Sequence, residues 1–247
     1  HSYRVLKEDC LDLPDKVYEK RFVSLTSEQV KAYEEMRRFN MTEVDGEIMT
    51  SLSSLTALIR LHQISCGHIA LDSGETQALK SNRMTELLNA LDEVEGKVII
   101  WASYRFDLKH IEQTLKEKFG EESTASYFGD TKDSERQGIV NRFQDKESKL
   151  KYFVGNPSTG GYGLTLTAAH TVIYYSNTYD LEKRMQSEDR AHRIGQTNKV
   201  TYIDLISEGT VDEKIVQSLR SKIDIASAVM GEDIKQWLIE PINKRRK

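Results

Sequence analysis

The sequence predicts an α/β fold: a mostly parallel sheet with helices on both faces, preceded by a helical segment and followed by a C-terminal helix. The main observation is that short apolar runs alternate with helical patterns between residues 81 and 206, with short links between them. Such alternation favours parallel strands joined by helices. A chain of 247 residues with 38% hydrophobic and 30% charged residues also has the composition of a globular protein of one or two domains.

The leading segment, residues 1–80, is predicted to be mainly helical after an initial strand. Residues 16–25 are rich in β-branched and aromatic side chains, which favours a strand. Thr26 and Gln29 form a capping-box pattern for the helix that follows. A second helix is predicted over residues 50–66, where apolar side chains recur at helical spacing.

The alternating segment supplies the rest of the predicted sheet. Its predicted elements are helix 82–94, strand 97–101, helix 105–119, strand 123–127, helix 134–144, strand 149–154, a glycine-rich turn with a short helix, strand 171–175, an arginine-bearing helix and strand 200–206. A long helix capped by Thr210 is predicted to run to Met230, and the basic residues 244–247 are predicted to form a solvated tail.

Composition excludes several classes of protein. A net charge of −4 disfavours nucleic-acid binding by bulk electrostatics, so any such binding requires a local patch. No apolar run approaches the length of a membrane span, and no signal peptide opens the chain. Cys10 and Cys66 form no disulfide framework, which favours a cytoplasmic protein. Because the sequence opens with His1, we expect it to be a segment of a longer polypeptide.

Two stretches carry the candidate chemistry. After the strand that starts at Tyr152 comes a turn containing Gly160, Gly161 and Gly163, and such turns bring backbone N–H groups close to anions. Further on, a helix of about four turns is predicted, capped by Asp180 and closed by Gly195. In chain order, both stretches leave the carboxyl ends of predicted parallel strands, where ligands of such sheets bind.

The predicted helix would present Gln186, Arg190 and Arg193 on one stripe about 60° wide. Two guanidiniums and an amide on one face could stabilise charge on a bound phosphate. The alternative is an ordinary solvated helix face, on which Asp189 and Arg193 form a surface ion pair.

The string Gln186-Ser-Glu-Asp-Arg-Ala-His-Arg-Ile-Gly-Gln196 resembles motif VI of superfamily-two helicases, and closely resembles the Swi/Snf-type DNA-dependent ATPases. The glycine-rich stretch is similar to motif V of the same proteins. The resemblance implies a RecA-like lobe with the P-loop NTPase-type parallel sheet. It also implies three parts: residues 1–80 as the end of a first lobe with a helical linker, 81–206 as the second RecA-like lobe, and 207–247 as a helix and tail.

The resemblance further implies a set of nucleotide-binding and catalytic residues. Arg190 and Arg193 would act as arginine fingers on ATP, with Gln186 helping to orient them or the water. The nucleotide contacts would come from Gly161, Gly163, Leu164 and Thr165. Thr159 and Thr165 depart from the alanine and asparagine that most members of the family have there. The alternative for the glycines is a tight strand-to-helix turn without a ligand.

Backbone contacts to double-stranded DNA are implied at three loops. The corresponding residues are Ser103, Tyr104, Gly129, Thr131, Ser158 and Thr159. Small hydroxyl residues at loop and helix starts suit phosphate binding without base reading, and the binding should weaken with salt. Serine and threonine at such places also commonly cap helices, which is the alternative.

The phosphate cradle of an ATPase is not found in this sequence. Gly96-Lys97 is followed by Val98 and opens a strand, whereas a P-loop requires Ser or Thr and a helix. The acidic run at Asp92 and Glu93 sits at a predicted helix end. ATP, with its Mg²⁺, would therefore be held mainly by an N-terminal RecA-like lobe outside this chain.

A metal site is not predicted. His62, Cys66 and His68 supply only three possible ligands, so burial is the better interpretation. The sequence therefore predicts the second motor lobe of an ATP-dependent double-stranded DNA translocase or helicase, inactive by itself. The alternatives are a non-catalytic DNA- or protein-binding module on the same fold and an RNA-unwinding helicase.

Overall fold

The computed structural model describes residues 13–44, 47–51, 53–159 and 163–220. In chain order the strands are β1 (Lys16–Val23), β2 (Met41–Val44), β3 (Glu47–Thr50), β4 (His68–Ala70), β5 (Thr76–Ala78), β6 (Lys97–Trp101), β7 (Thr124–Tyr127), β8 (Tyr152–Gly155), β9 (Ala169–Tyr174) and β10 (Val200–Ser207). The α-helices are α1 (Ser27–Phe39), α2 (Ser54–Cys66), α3 (Arg83–Asp92), α4 (Arg105–Phe119), α5 (Asp133–Gln144), α6 (Leu181–Glu188) and α7 (Val211–Arg220). A 3₁₀ turn spans Glu121–Ser123.

Six strands of the described chain form a parallel sheet in the order β1-β10-β9-β6-β8-β7. Successive side chains of a strand point to opposite faces, and β6 shows why both faces are apolar. Val98 and Ile100 pack with residues of α3 and α4, whereas Ile99 and Trp101 pack with residues of α5. The predicted parallel sheet with helices on both faces is therefore confirmed.

The leading segment contributes to this sheet. β1 pairs in parallel with β10 over its whole length, from Lys16 opposite Val200 to Val23 opposite Ser207. The sheet thus extends across the boundary at residue 80 that the sequence suggested, because the edge of β10 is completed by a strand from the N-terminal side. The assignment of residues 1–80 to a first lobe remains a prediction.

A third apolar cluster joins α1, α2 and α7. Met36 of α1, Leu61 and Ile64 of α2, and Ile215 of α7 are fully buried in it. Thr26 caps α1, and its capping box with Gln29 is formed as predicted. The C-terminal helix packs on the leading helices, so the two ends of the described chain share one core.

Two predicted helices are corrected by the structure. The arginine-bearing helix ends at Glu188 instead of continuing to Gly195, because the carbonyl of Arg190 accepts a hydrogen bond from the Leu166 N–H at 2.9 Å. The short helix expected after the glycine turn is absent from residues 163–168, where the Ala168 N–H bonds the Gln144 side chain. In both places a residue distant in sequence hydrogen bonds a backbone N–H or carbonyl that would otherwise form a bond within a helix.

Some predictions lie outside the described residues. The part of the C-terminal helix beyond Arg220, the basic tail 244–247 and Cys10 belong to this group. Among the described helices, none has the length and apolar character needed to cross a membrane.

Candidate functional site

The arginine segment begins with α6 and continues as a series of turns. Asp180 accepts hydrogen bonds from the backbone N–H groups of Glu182 and Lys183, at 3.0 and 3.2 Å, and so caps the helix as predicted. Gly195 adopts the left-handed conformation at φ 98°, also as predicted. Between them the backbone leaves the helix at Glu188, so the single stripe predicted for Gln186, Arg190 and Arg193 does not form. Gln186 instead donates to Glu182 on the helix surface, at 2.9 Å.

Arg190 and Arg193 nevertheless lie beside the glycine turn. The exposed side chain of Arg193 donates through Nη1 to the carbonyl of Gly163 at 3.2 Å, with the Leu164 carbonyl at 3.5 Å. Arg190 holds the segment that follows the turn through its carbonyl, which accepts from Leu166. Tertiary contacts therefore bring the two arginines to the turn, although the helical stripe with Gln186 is absent.

The turn itself is described in part. Gly163 is exposed at φ 63°, Leu164 is 9% exposed and Thr165 is half-buried. Gly161 lies outside the described residues, so its predicted nucleotide contact has no structural counterpart here. Among the predicted nucleotide-binding residues that the structure describes, Gly163 makes the shortest contact with the Arg193 side chain.

Gln196 holds the arginine segment against the strand that follows the turn. Its side-chain amide donates to the carbonyls of Thr167, Ala169 and Ala191 at 3.2, 2.9 and 3.1 Å. Its Oε1 accepts from the N–H groups of Thr197 and Asn198, both at 3.0 Å. Motif reasoning gave Gln196 no structural role, although a glutamine directly after a helix-closing glycine is a signal that could have indicated one.

The two guanidiniums create a local concentration of positive charge. Burial lowers the pKa of Arg190, which is 8% exposed, and the charge of Arg193 lowers it further, whereas Asp189 opposes the shift. Arginine stays protonated in proteins despite such shifts. Two cations held close together would be stabilised by an anion.

Arg184, on the preceding helix, has different surroundings. Its Nε lies 2.9 Å from Glu188 Oε1 and its Nη1 lies 2.5 Å from Asp204 Oδ1. The guanidinium also stacks on the Tyr174 ring, 3.4 Å from the ring centroid, and is buried. Arg184 is therefore a structural residue, fully engaged within the fold.

A cavity of about 210 Å³ opens at the carboxyl ends of β6, β8 and β9. It is lined by Ile59, Ser103, Tyr104, Asn156, Pro157, Ser158, Thr178 and Tyr179. Three of these residues, Ser103, Tyr104 and Ser158, were predicted to contact DNA from two separate loops. The fold thus brings two of the three predicted DNA-binding loops to one cavity.

Several hydroxyls in these loops bond the protein itself. Ser103 Oγ donates to the Ser176 carbonyl at 3.2 Å, and the Tyr104 hydroxyl hydrogen bonds His62 Nδ1 at 2.8 Å. Thr131 Oγ1 donates to the Ser126 carbonyl at 3.1 Å and so shapes the turn after β7. Ser158 and Gly129 are exposed, and Thr159 closes a turn by donating its N–H to Asn156.

Asn156 joins the two loops and was not singled out from the sequence. Its Nδ2 donates to the Ser103 carbonyl at 3.0 Å, and its Oδ1 accepts from the Ser158 N–H at 2.8 Å. An asparagine before a proline at the end of a buried strand is a turn signal, and that signal could have identified it.

The suspected metal ligands are buried and have other partners. His62 contacts Tyr104 and lies 3.4 Å from Asp212 Oδ1, and His68 Nδ1 lies 2.9 Å from Asp107 Oδ1. Burial raises the pKa of the Cys66 thiol well above its ordinary value, which disfavours a metal-binding thiolate. In the described ranges no group of three or more His, Cys, Asp or Glu residues is arranged to hold a metal ion.

The P-loop look-alike is also part of the framework. Lys97 begins β6 and donates through Nζ to the carbonyls of Arg142, Asp145 and Leu150, at 3.3, 2.7 and 2.9 Å. These contacts lie at the amino ends of β6 and β8 and fix the start of the sheet. The acidic run ends α3 as predicted, and Glu93 pairs there with Arg21.

Comparison with known proteins identifies this arrangement. Residues 79–195 match the family model described as the helicase conserved C-terminal domain. The SWI2/SNF2 ATPase core of Sulfolobus solfataricus in complex with dsDNA has a TM-score of 0.69 and 29% identity, covering 95% of this chain and 52% of that chain. This chain contains the C-terminal helicase domain of a SNF2-type ATPase.

Two further comparisons define the extent of the SNF2-type domain. The C-terminal domain of the S. solfataricus SWI2/SNF2 ATPase has the same fold, with a TM-score of 0.63 and 24% identity, covering 92% of this chain and 99% of that one. YwqA of Bacillus subtilis (strain 168), named as a candidate ATP-dependent helicase/translocase, is 32% identical over 95% of this chain. The chain spans about a quarter of the length of YwqA, 26%. The RecA-like second-lobe fold implied by the sequence motifs is thus confirmed.

Proposed function

We propose that this chain acts as the second motor lobe of an ATP-dependent double-stranded DNA translocase. The observation that carries the proposal is the contact of the exposed Arg193 guanidinium with the carbonyls at the glycine turn, close to the charge of Arg190. The two arginines lie in the segment that Gln196 holds against the start of β9, and Arg193 is exposed beside the glycine turn. An exposed cationic pair suits a triphosphate presented by a neighbouring lobe.

In this proposal Arg190 and Arg193 stabilise the charge that develops on the phosphates during hydrolysis. The nucleotide would be contacted at the turn by Gly163, Leu164 and Thr165. Gln186 would take part only after its side chain gives up its hydrogen bond to Glu182. Mg²⁺, bound mainly by the other lobe, would neutralise the phosphates. The P-loop look-alike of this chain is engaged elsewhere, which supports a cradle on the partner lobe.

DNA would bind through its backbone at the cavity and the loops around it. Ser103, Tyr104, Ser158 and Thr159 belong to the cavity side, and Gly129 and Thr131 to the adjoining loop. The similar S. solfataricus ATPase core is described in complex with dsDNA, which supports duplex DNA as the ligand. Backbone N–H groups and small hydroxyls can follow phosphates without reading bases.

The proposal is tested by ATP turnover of the longer protein that contains both lobes. We expect duplex DNA to stimulate turnover more than single-stranded DNA or RNA of equal length does. The present chain alone should hydrolyse no ATP, because it would supply only half of the site. Preferential stimulation by RNA would favour an RNA helicase, and DNA binding without any ATP turnover would favour a non-catalytic binding module. Either result would contradict the proposal.

A further inference from the structure

Two exposed cations converge on one carboxylate oxygen at the start of α4. Arg105 Nη2 lies 2.6 Å from Asp130 Oδ2, and Lys109 Nζ lies 3.5 Å from the same atom. Arg105 and Lys109 are one helical turn apart, so their side chains reach the same side of the helix. Their side chains are 67% and 56% exposed, and that of Asp130 is 38% exposed.

This cluster lies next to the predicted DNA-binding residues. Arg105 directly follows Tyr104, which lines the cavity, and Asp130 stands between Gly129 and Thr131 in the loop after β7. The other charged groups of this loop are Lys132 and Asp133; Asp133 pairs with Arg136 at 3.3 Å. One carboxylate thus faces two cations, which leaves net positive charge beside the cavity.

We propose that Arg105 and Lys109 bind a phosphate of the DNA backbone, and that Asp130 occupies the position of that phosphate when DNA is absent. The proposal rests on the proposed function and adds to it a site that motif comparison did not assign. A phosphate offers the guanidinium the same oxygen geometry as a carboxylate. An exposed ion pair contributes little to stability, so the exchange of one anion for the other is inexpensive.

The proposed site predicts the direction in which each substitution changes the affinity for duplex DNA. Each phosphate that a protein neutralises contributes about 0.9 to the slope of log affinity against log salt concentration. In the longer protein, the double substitution Arg105→Ala with Lys109→Ala should weaken duplex binding and reduce that slope by about 0.9. Asp130→Asn should tighten binding at low salt by up to about fivefold, because the competing internal anion is removed.

Lys149 and Glu122 provide the matched control. They form an exposed pair at 2.8 Å, with side chains 80% and 72% exposed, just before β8 and β7 and therefore at the opposite edge of the sheet. Lys149→Ala and Glu122→Gln should leave both the affinity and the slope unchanged. Circular dichroism melting of all variants should match the unmodified protein, because every substituted side chain is on the surface.

The experiment is fluorescence-anisotropy titration of a labelled duplex at several salt concentrations. A reduced slope in the double variant with tighter binding by Asp130→Asn supports the site. Salt-sensitive binding that keeps its full slope in the double variant, or weaker binding by Asp130→Asn, overturns the site while leaving the proposed function intact. A longer protein that fails to bind duplex DNA would overturn the proposed function itself.

Discussion

Arg184 and Arg193 belong to the same segment and have opposite surroundings. Arg184 is buried, paired with Glu188 and Asp204, and stacked on Tyr174. Arg193 is exposed, and its described hydrogen bonds are to carbonyl oxygens beside the glycine turn. A buried guanidinium must be neutralised within the fold, whereas an exposed one can keep its charge for another molecule.

The comparison distinguishes charged residues of the motif that stabilise the fold, such as Arg184, from those that are exposed and available to a ligand, such as Arg193. Glu188, a member of the motif, supports Arg184 and also contacts Lys16 and Tyr18 of β1, at 3.1 and 2.8 Å. These contacts fix the position of the helix end from which Arg190 and Arg193 emerge. Substitutions in the framework should therefore affect stability first, and those at Arg193 should affect activity alone.

The largest effect on stability is expected at Arg184. Arg184→Met would leave the buried Asp204 without its cationic partner, which costs about 3–5 kcal/mol of unfolding free energy. The measurement is urea denaturation followed by circular dichroism. Lys183→Met is the control, because the Lys183 side chain is 45% exposed and should change the unfolding free energy by less than about 0.5 kcal/mol. Equal effects of the two substitutions would remove the distinction drawn for Arg184.

Acid should weaken the buried ion pair between Arg83 and Asp212, whose side chains are both fully buried. Burial alone would raise the pKa of Asp212, but the charge of Arg83 and the contacts of His62 and the Ser207 N–H lower it to about 2, from 3.8. A carboxyl with a lowered pKa in the folded state stabilises the fold above its unfolded pKa, and this contribution disappears as pH falls from about 4 to about 2.

Urea denaturation at pH 5, 4, 3 and 2 tests this expectation. Asp212→Asn should be less stable at pH 5, and its unfolding free energy should fall less than that of the unmodified protein at lower pH, because an amide does not titrate. Parallel pH profiles for the two proteins would show that Asp212 does not contribute to the acid dependence.

A smaller effect is expected at Tyr104. Tyr104→Phe removes the hydroxyl that hydrogen bonds the buried His62 and should cost about 1–2 kcal/mol of unfolding free energy. Because that hydroxyl is turned toward His62, duplex affinity should stay within about twofold of the unmodified value, which is 0.4 kcal/mol or less at the usual conversion. A tenfold loss of DNA affinity with unchanged stability would instead make the hydroxyl a DNA contact.

Local signals in the sequence predicted the framework well. β6 and α4 have the predicted bounds, and the caps at Thr26 and Asp180 form as expected. These features depend on side chains within a few residues of one another or on a run of apolar residues. The parallel sheet followed from the alternation of such elements.

Features that depend on distant partners were not predictable in the same way. Arg190 lies outside the helix because its carbonyl accepts a hydrogen bond from the Leu166 N–H. β1 belongs to the sheet because it pairs in parallel with the edge of β10. Neither partner is visible in a local pattern. The proximity of Arg190 and Arg193 to the glycine turn agrees with the sequence, whereas the helical stripe with Gln186 does not form. The roles of these residues at a nucleotide stay predictions.

Turnover by an Arg193→Ala variant of the longer protein tests the central claim most directly. We predict that the DNA-stimulated rate constant for ATP hydrolysis falls about 10³-fold or more while the melting temperature stays unchanged, since Arg193 is exposed. Lys199→Ala, which removes a nearby cation with a 69% exposed side chain, should retain full turnover. Near-normal hydrolysis by Arg193→Ala would contradict the account, because the exposed guanidinium would then have no role in the chemistry.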